Sequence, residues 1–424
     1  MKTITYQGPG QLDVRHEADV LVAGGGPGGL GAAVMAARAG AKTLLIERFG
    51  FLGGMAAAGE VHPFMYNHVN GEPLDGPVYT EWAERMRSYY RREDRLLDIS
   101  KDAAMLAAED LCLEAGVQLL YHHQVADVIV RDGLIAGVVL FSKPGFTAAQ
   151  APVYVDCTGD ADLAARAGCQ YEEGGPSGHC QPMTLCFKLS HVDKTRMPTR
   201  QEINRLYEEA KGRGEISCPR EDVLIFDWLD SSVLHFNTTR VIHRRGTSGE
   251  DLSVAEMAAR DQVREFLAFF RNRVPGFENA QIHSLAHHIG VRETRRVKGL
   301  VWLTRDAFLE RRKFPDAIAR VRYPIDIHNP DGTGTEIVHM PEGEWYEIPY
   351  GCIVAQDVDN LLIGGRPISV DHAIHSSMRV MPPACSIGQA AGLAAALACQ
   401  RHCRPRDLDG VELRQTLVRH GARL

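Results

Sequence analysis

The chain has 424 residues, 45% of them hydrophobic and 24% charged, with a net charge of −7. That length suggests two or more domains, or one large fold with insertions, and the composition is that of an ordinary globular chain. The acidic balance supplies no global field for a nucleic acid or an anionic bilayer, so no nucleic-acid partner is expected. No apolar run reaches membrane-spanning length, and the first twenty residues lack the apolar core of a secretion signal. The expected setting is therefore cytoplasmic, without a membrane span. The ten cysteines are scattered and include no C-x-x-C. Cys399 and Cys403 flank His402, but a single such cluster reads as thiols near a helix end, and no metal site is expected.

In chain order, Val20 to Ala23 is a short apolar run of the kind that forms a buried parallel strand. "GGGPGG", Gly24 to Gly29, follows it. Leu30 to Ala39 then reads as an unbroken helix that Gly40 stops, and "KTLLIER" is a second strand ending at Glu47. Gly24, Gly26 and Gly29 fit G-x-G-x-x-G inside a strand–helix–strand unit, with an acid roughly twenty residues further on. The first glycine permits the tight turn, the second admits a pyrophosphate and the third lets helix and strand approach. The helix N-terminus offers unpaired N–H groups to phosphate, and Glu47 can accept ribose hydroxyls. Dinucleotide binding is thus expected at Gly24, Gly26, Pro27, Gly28, Gly29 and Glu47. The acid suits NAD or the adenosine of FAD rather than NADP.

"ERFGFLGGMAAAG" places a second glycine pair, Gly53 and Gly54, directly after that acid, where an NAD domain would proceed to its next helix. "GVQLLYHHQVADVIVRDGLIAGVVLFS" reads as strands joined by an Asp132-Gly133 hairpin turn. "PVYVDCTGDADLAARAG" is a strand ending in Thr158-Gly159-Asp160, with Asp160 also able to cap a helix over 161–167. Ser253 to Ala280 reads as a helix with a capping box, Ser253 and Glu256, ended by Pro275-Gly276. His287, His288, Arg292, Glu293, Arg295, Arg296 and Lys298 crowd one segment, and alternation would put His288, Arg292 and Arg296 on one face of a strand. Leu361 to Ile363 is another buried strand, followed by Gly364-Gly365-Arg366. Pro382 and Pro383 then open a small-residue helix over Ala384 to Ala398, where proline is tolerated in the first turn.

The pieces "GGGPGG", "ERFGFLGG", "CTGDADLAARAG", "IGVRETRR", "YEIPYGCIV", "LLIGGRPIS" and "RVMPPACSIGQAAG", in this order from about Asp19 to Ala398, resemble the FAD-dependent oxidoreductase family of the glutathione-reductase-type flavoproteins. The resemblance implies an α/β fold. A Rossmann-like FAD-binding domain (parallel sheet with helices, plus a β-hairpin insertion) is joined by a second α+β substrate or cap domain. The segments expected are 1–173 and 345–424 for the FAD-binding domain and 174–344 for the cap. It further implies that Arg48, Gly53, Gly54 and Met55 pass beside the flavin, that backbone at Val125 meets the adenine, and that Thr158, Gly159 and Asp160 return beside the first loop. Gly365, Arg366, Pro382 and Ala384 would bring a helix N-terminus to the flavin.

On this reading Arg292 and Arg295 are catalytic candidates as cations near flavin or substrate. His372, His375 and Arg379 are candidates because they precede the dipole helix, and a histidine there could move a proton. His62 is a weaker candidate of the same kind. The expected function is hydride transfer between a small organic substrate and N5 of FAD held without a covalent bond. No second G-x-G-x-x-G unit occurs in the middle of the chain, which disfavours a disulfide-reductase arrangement. The electron acceptor or donor stays unassigned, and a homo-oligomer is compatible. Three alternatives stand beside it. These are an NAD-dependent dehydrogenase, a non-redox or structural FAD protein serving group transfer or RNA modification, and an assembly subunit that has lost the chemistry.

Overall fold

A computed structural model describes residues 10–89 and 100–424; the first nine residues of the 1–173 segment and a short part of its interior lie outside the described residues. The central element is a five-stranded parallel sheet. Its strands are β1 (Val20–Ala23), β2 (Thr43–Ile46), β3 (Gln118–Leu120), β4 (Val153–Asp156) and β5 (Leu361–Ile363), in the order β5-β4-β1-β2-β3. β1 lies in register between its neighbours, Val20 facing both Thr43 and Val153. β1, β2, β4 and β5 are buried along their whole length, as strands covered on both faces must be. The chain builds outward from β1 through β2 to β3, then crosses over to lay down β4 and β5. Strand order therefore reverses between β1 and β4, which opens a crevice beyond their carboxyl ends.

Helix α1 (Pro27–Arg38) follows β1 and packs along α2 (Met381–Arg401). The two backbones touch because small residues face each other. A Cβ added to Gly388 would lie 1.9 Å from the Gly28 carbonyl oxygen, and one on Gly392 would lie 2.0 Å from that of Ala32. The C-terminal helix is thereby seated on the helix that starts the dinucleotide loop. α2 begins at Met381, ahead of the expected Ala384, with Pro382 and Pro383 in its first turn.

A four-stranded sheet flanks this layer, ordered Val14–Glu17, Gly145–Gln150, Leu134–Ser142 and Gln124–Arg131. Its hairpin turns at Asp132-Gly133, with φ of 51° and 77°. Two positive φ values are what a type I′ turn requires, as the Asp-Gly pair predicts.

The cap is an antiparallel sheet of Ile225–Asp227, Leu234–Phe236, Phe187–Ser190 and Gln281–Leu285 in that order. One face carries Phe187 and Phe236, stacked at 4.8 Å, and packs on Phe266 and Phe270 of the helix Gly249–Arg273. This makes a second core, running from Met183 to Val291. Val297, Leu303, Ile318 and Tyr346 belong instead to the first core. The opposite face of the cap sheet carries Lys188 and His235, which meet Glu60 and His62.

Two capping expectations change. The long helix starts at Gly249 because Ser248 caps it, its Oγ accepting from the Asp251 N–H at 3.2 Å. Ser253 lies inside the helix and donates back to the Gly249 carbonyl. The short helix Asp162–Arg166 is not capped by Asp160 either. Thr158 Oγ1 accepts from the Asp162 N–H at 2.8 Å, and the buried Asp156 carboxylate accepts from Ala164. Among the described residues no single helix is long and apolar enough to cross a membrane.

Candidate functional site

The crevice at the switch point is a cavity of about 240 Å³ floored by the first glycine loop. Gly24 has φ +96°, and a Cβ there would sit 2.4 Å from the Cys157 carbonyl oxygen. Gly29 is closer packed still, its virtual Cβ 1.7 Å from the Gly24 oxygen. Gly26 behaves differently: its virtual Cβ meets only Gly54 Cα, at 3.6 Å, so that face is bare backbone open to the cavity. The N-terminus of α1 carries no side-chain cap and no acidic residue in its first turn, which leaves its N–H groups and dipole directed at the groove. α2 begins in the same way, and its Val380, Met381 and Ala384 line the cavity from the other side.

Glu47 closes the groove at the end of β2. Its Oε2 accepts from the Gly25 N–H at 2.7 Å and its Oε1 from the Phe49 N–H at 2.9 Å. Each oxygen keeps a lone pair for a further donor. Burial pushes its pKa up, against the opposing pull of those amides. Beyond Glu47 a smaller pocket continues between Arg48, His123, Gln124, Val125 and Thr158. Gly53 and Gly54 both have positive φ, and the Gly53 N–H donates to the Gly25 oxygen, which ties the second glycine pair to the first.

Of the residues expected at a cofactor, Gly24, Gly26, Pro27, Gly28, Glu47, Arg48, Gly54, Met55, Thr158, Gly159, Asp160, Gly365, Arg366 and Ala384 line the main cavity. Val125 lines its extension. Gly29, Gly53 and Pro382 lie behind the surface, in the turns that shape it. Arg366 is committed to structure, since its Nε donates to the Gly159 oxygen at 2.8 Å and its Nη2 to Asp160 at 2.5 Å. Asp160 also accepts from Thr294 Oγ1.

The catalytic candidates separate. Arg292 and Arg379 line the cavity. Arg292 is partly buried and donates to neutral oxygens, the Pro182 carbonyl at 2.8 Å and Thr184 Oγ1 at 2.6 Å. Burial, with Arg379 and Arg220 nearby, pushes it down to about 9, still charged at neutral pH. Arg379 approaches one carboxylate, Asp326, at 4.0 Å.

Arg295, His372 and His375 do not line the cavity, contrary to expectation. Arg295 donates to the Asp160 oxygen and to Asp162. His372 meets the buried Glu293 at 2.7 Å, where Arg296 also donates. His375 is enclosed on a short helix, His372–Met378, and burial among several arginines drives its pKa well down. His62 is likewise buried behind the cavity wall, pushed down to about 4. The expected common face of His288, Arg292 and Arg296 does not form. The segment is held by single bridges and a three-residue strand, so Arg296 turns inward while His288 and Arg292 face the cavity.

Sequence reasoning missed a polar wall. Tyr323, Asp326 and His328 line the cavity beside the two arginines. The Tyr323 hydroxyl donates to Asp326 Oδ2 at 3.0 Å, and burial raises the phenol's pKa. Arg240 Nη2 donates to His328 Nδ1 at 3.2 Å. Arginine cannot accept, so the ring proton is on Nε2, which lies 3.7 Å from Asp326. Burial and four arginines hold this ring neutral. The signal was present in "IDIH", Ile325–His328, whose period of two places Asp326 and His328 on one face of a strand. Val61, Pro63, Phe64 and Met65 give the same cavity an apolar lining.

A cleft of this kind, at a strand switch point with two uncapped helix ends and a buried acid at a strand tip, has the form of a dinucleotide-binding crevice. The chain belongs to the FAD-dependent oxidoreductase family, whose model matches residues 19–417, and FAD is its cofactor. The donor set fits that group, since Gly26 is open where pyrophosphate must approach and Glu47 retains free lone pairs. Among curated proteins, the chain is similar to thiamine thiazole synthase of Aeropyrum pernix, 36% identical over 30% of this chain and 45% of that one. It is also similar to that of Archaeoglobus fulgidus, 36% identical over 27% and 42%. The match thus spans less than half the length of either relative. Among solved structures, a geranylgeranyl bacteriochlorophyll reductase-like protein of Thermoplasma acidophilum has a TM-score of 0.46 at 15% identity, covering 96% of this chain and 84% of that one. The p-nitrophenol 4-monooxygenase of Pseudomonas putida has a TM-score of 0.46 at 12% identity, covering 96% and 87%.

Proposed function

We propose that the chain transfers a hydride between a small anionic organic substrate and N5 of non-covalently held FAD, in the manner of the glutathione-reductase-type flavoproteins. The observation that carries this reading is the charge of the polar wall. Arg292 and Arg379 face the cavity; among the described residues Asp326 is the carboxylate that Arg379 approaches, and Arg292 makes no ion pair, which leaves positive charge in excess at this wall. A carboxylate substrate would complete it, and Arg292 presents a planar fork already fixed by Pro182 and Thr184.

When bound, FAD supplies hydride acceptance and donation at N5. Gly24 to Gly29 and the α1 N-terminus would hold its pyrophosphate, Glu47 its ribose, and the α2 N-terminus the far end of its ring system. The chain's other contribution is a proton acceptor. His328 already uses Nδ1, and the Tyr323 hydroxyl already donates, so Asp326 is the wall's acceptor. In the oxidation direction Asp326 takes the proton from a substrate O–H or N–H as the hydride leaves carbon. The apolar wall of Val61, Pro63 and Phe64 excludes water from that exchange.

The test is anaerobic bleaching of the purified yellow protein with hydroxy and amino acids, and return of the yellow colour when dithionite-reduced protein is mixed with unsaturated acids, each beside its neutral amide. Bleaching by acids and not by amides is expected, and Asp326→Asn should slow it while FAD stays bound. A colourless chain that takes up no FAD, or equal bleaching by amides, would sink the reading.

A further inference from the structure

At the rim of the cap, His179, His243 and Asp331 come from three separate segments, and their ligand atoms all lie within 4.8 Å of one another. His243 Nε2 is 3.2 Å and His179 Nε2 3.9 Å from the same Asp331 oxygen, with the two rings 4.6 Å apart. We propose that these three side chains form a site for one divalent transition-metal ion of the zinc type, with solvent in the remaining position.

The spacing suits such an ion. Bonds of ~2.0–2.2 Å at the tetrahedral angle set ligand atoms roughly 3.3–3.6 Å apart, which small rotations of the exposed rings reach from here. Two imidazoles and a carboxylate are ligands of intermediate softness that suit zinc, copper or nickel rather than calcium or magnesium.

The backbone around two of the ligands is held independently of any ion. Arg240, almost fully buried, donates from Nη1 to the Gly332 and Gly334 oxygens and so brackets the turn that carries Asp331. The Gly175 N–H donates to the His179 oxygen at 2.9 Å, closing that loop. A site assembled before the ion arrives loses little freedom on binding. The consequence is mechanical. Asp331 sits in the turn of the hairpin Ile325–His328 and Thr335–Val338, and the first of those strands carries Asp326 and His328 of the polar wall. A bound ion would clasp that hairpin to the cap.

The experiment uses the full chain with its FAD, stripped with chelator and then dialysed. Zinc chloride is titrated by calorimetry, and cobalt(II) is added separately for its visible absorption. One equivalent per chain is expected, with low-coordinate cobalt bands and a higher melting temperature. His243→Ala and Asp331→Ala should each weaken zinc binding at least tenfold and abolish those bands, whereas His283→Ala, an exposed histidine elsewhere on the cap, should not. All three positions are exposed, so an unchanged circular dichroism spectrum is expected of each variant. Several weak equivalents that survive both substitutions, or no saturable zinc binding, would overturn the proposal.

Discussion

Replacing Gly392 by alanine adds one methyl group where α2 crosses α1. The new Cβ would stand 2.0 Å from the Ala32 carbonyl oxygen, and Cβ atoms do not approach heavy atoms within 3.0 Å. The helices must therefore part by about 1 Å, and the obstacle is backbone, which cannot rotate away. Overpacking of this kind costs ~1–3 kcal/mol, at the upper end when backbone has to move. Against it stands ~1 kcal/mol gained by removing a glycine from a helix. The net expectation is a loss of about 2 kcal/mol. Gly212→Ala, at the end of the helix Arg200–Gly212, is the matching control because a Cβ there meets nothing within 4 Å. It should be neutral or slightly stabilising. Urea unfolding followed by circular dichroism and by FAD release gives both midpoints. A Gly392→Ala midpoint at or above that of the parent would refute the claim that these backbones are in contact.

The remaining predictions concern charge. Glu47→Gln should weaken FAD binding ~10–100-fold in a fluorescence titration, because a charged acceptor at the ribose is lost; unchanged affinity would remove Glu47 from the site. Arg379→Gln should lower kcat/KM for an acid substrate by ~10–100-fold and leave FAD content unchanged. Loss of FAD instead would make Arg379 a cofactor ligand. His62 has its pKa depressed to about 4 by burial, from 6.5. The unfolded chain takes up this proton below pH 6.5 and the folded chain refuses it until about 4, so stability falls as pH drops across that window. The loss reaches ~3 kcal/mol at its lower edge. His62→Phe should flatten the decline of urea midpoint with pH, and an equally steep decline would place the effect elsewhere.

The cofactor groove was legible because its logic is local. The G-x-G-x-x-G loop, its flanking strand and helix and Glu47 lie within thirty residues, and each is fixed by backbone geometry. The returning strand at Thr158 and the helix at Pro382 were readable because short apolar runs and paired prolines mark element starts. The polar wall was not. Whether Arg292 faces a cavity and Arg296 the interior depends on a segment too irregular for any period to apply. His372 and His375 precede α2 in sequence, but Glu293 draws one away and the fold of a seven-residue helix buries the other. Ser253 misled because a better cap, Ser248, lay five residues earlier.

The pairing of Gly28 with Gly388 has a bearing on how the molecule is made. The ribosome delivers the first glycine loop first and the helix that buttresses it some 360 residues later. At ~5–20 residues per second that interval lasts tens of seconds. Throughout it the nascent α1 has no partner along its glycine face, and β4 has no outer neighbour. The loop and the helix that buttresses it therefore meet only after the intervening chain has been made, and the growing chain must shelter the glycine face of α1 until then.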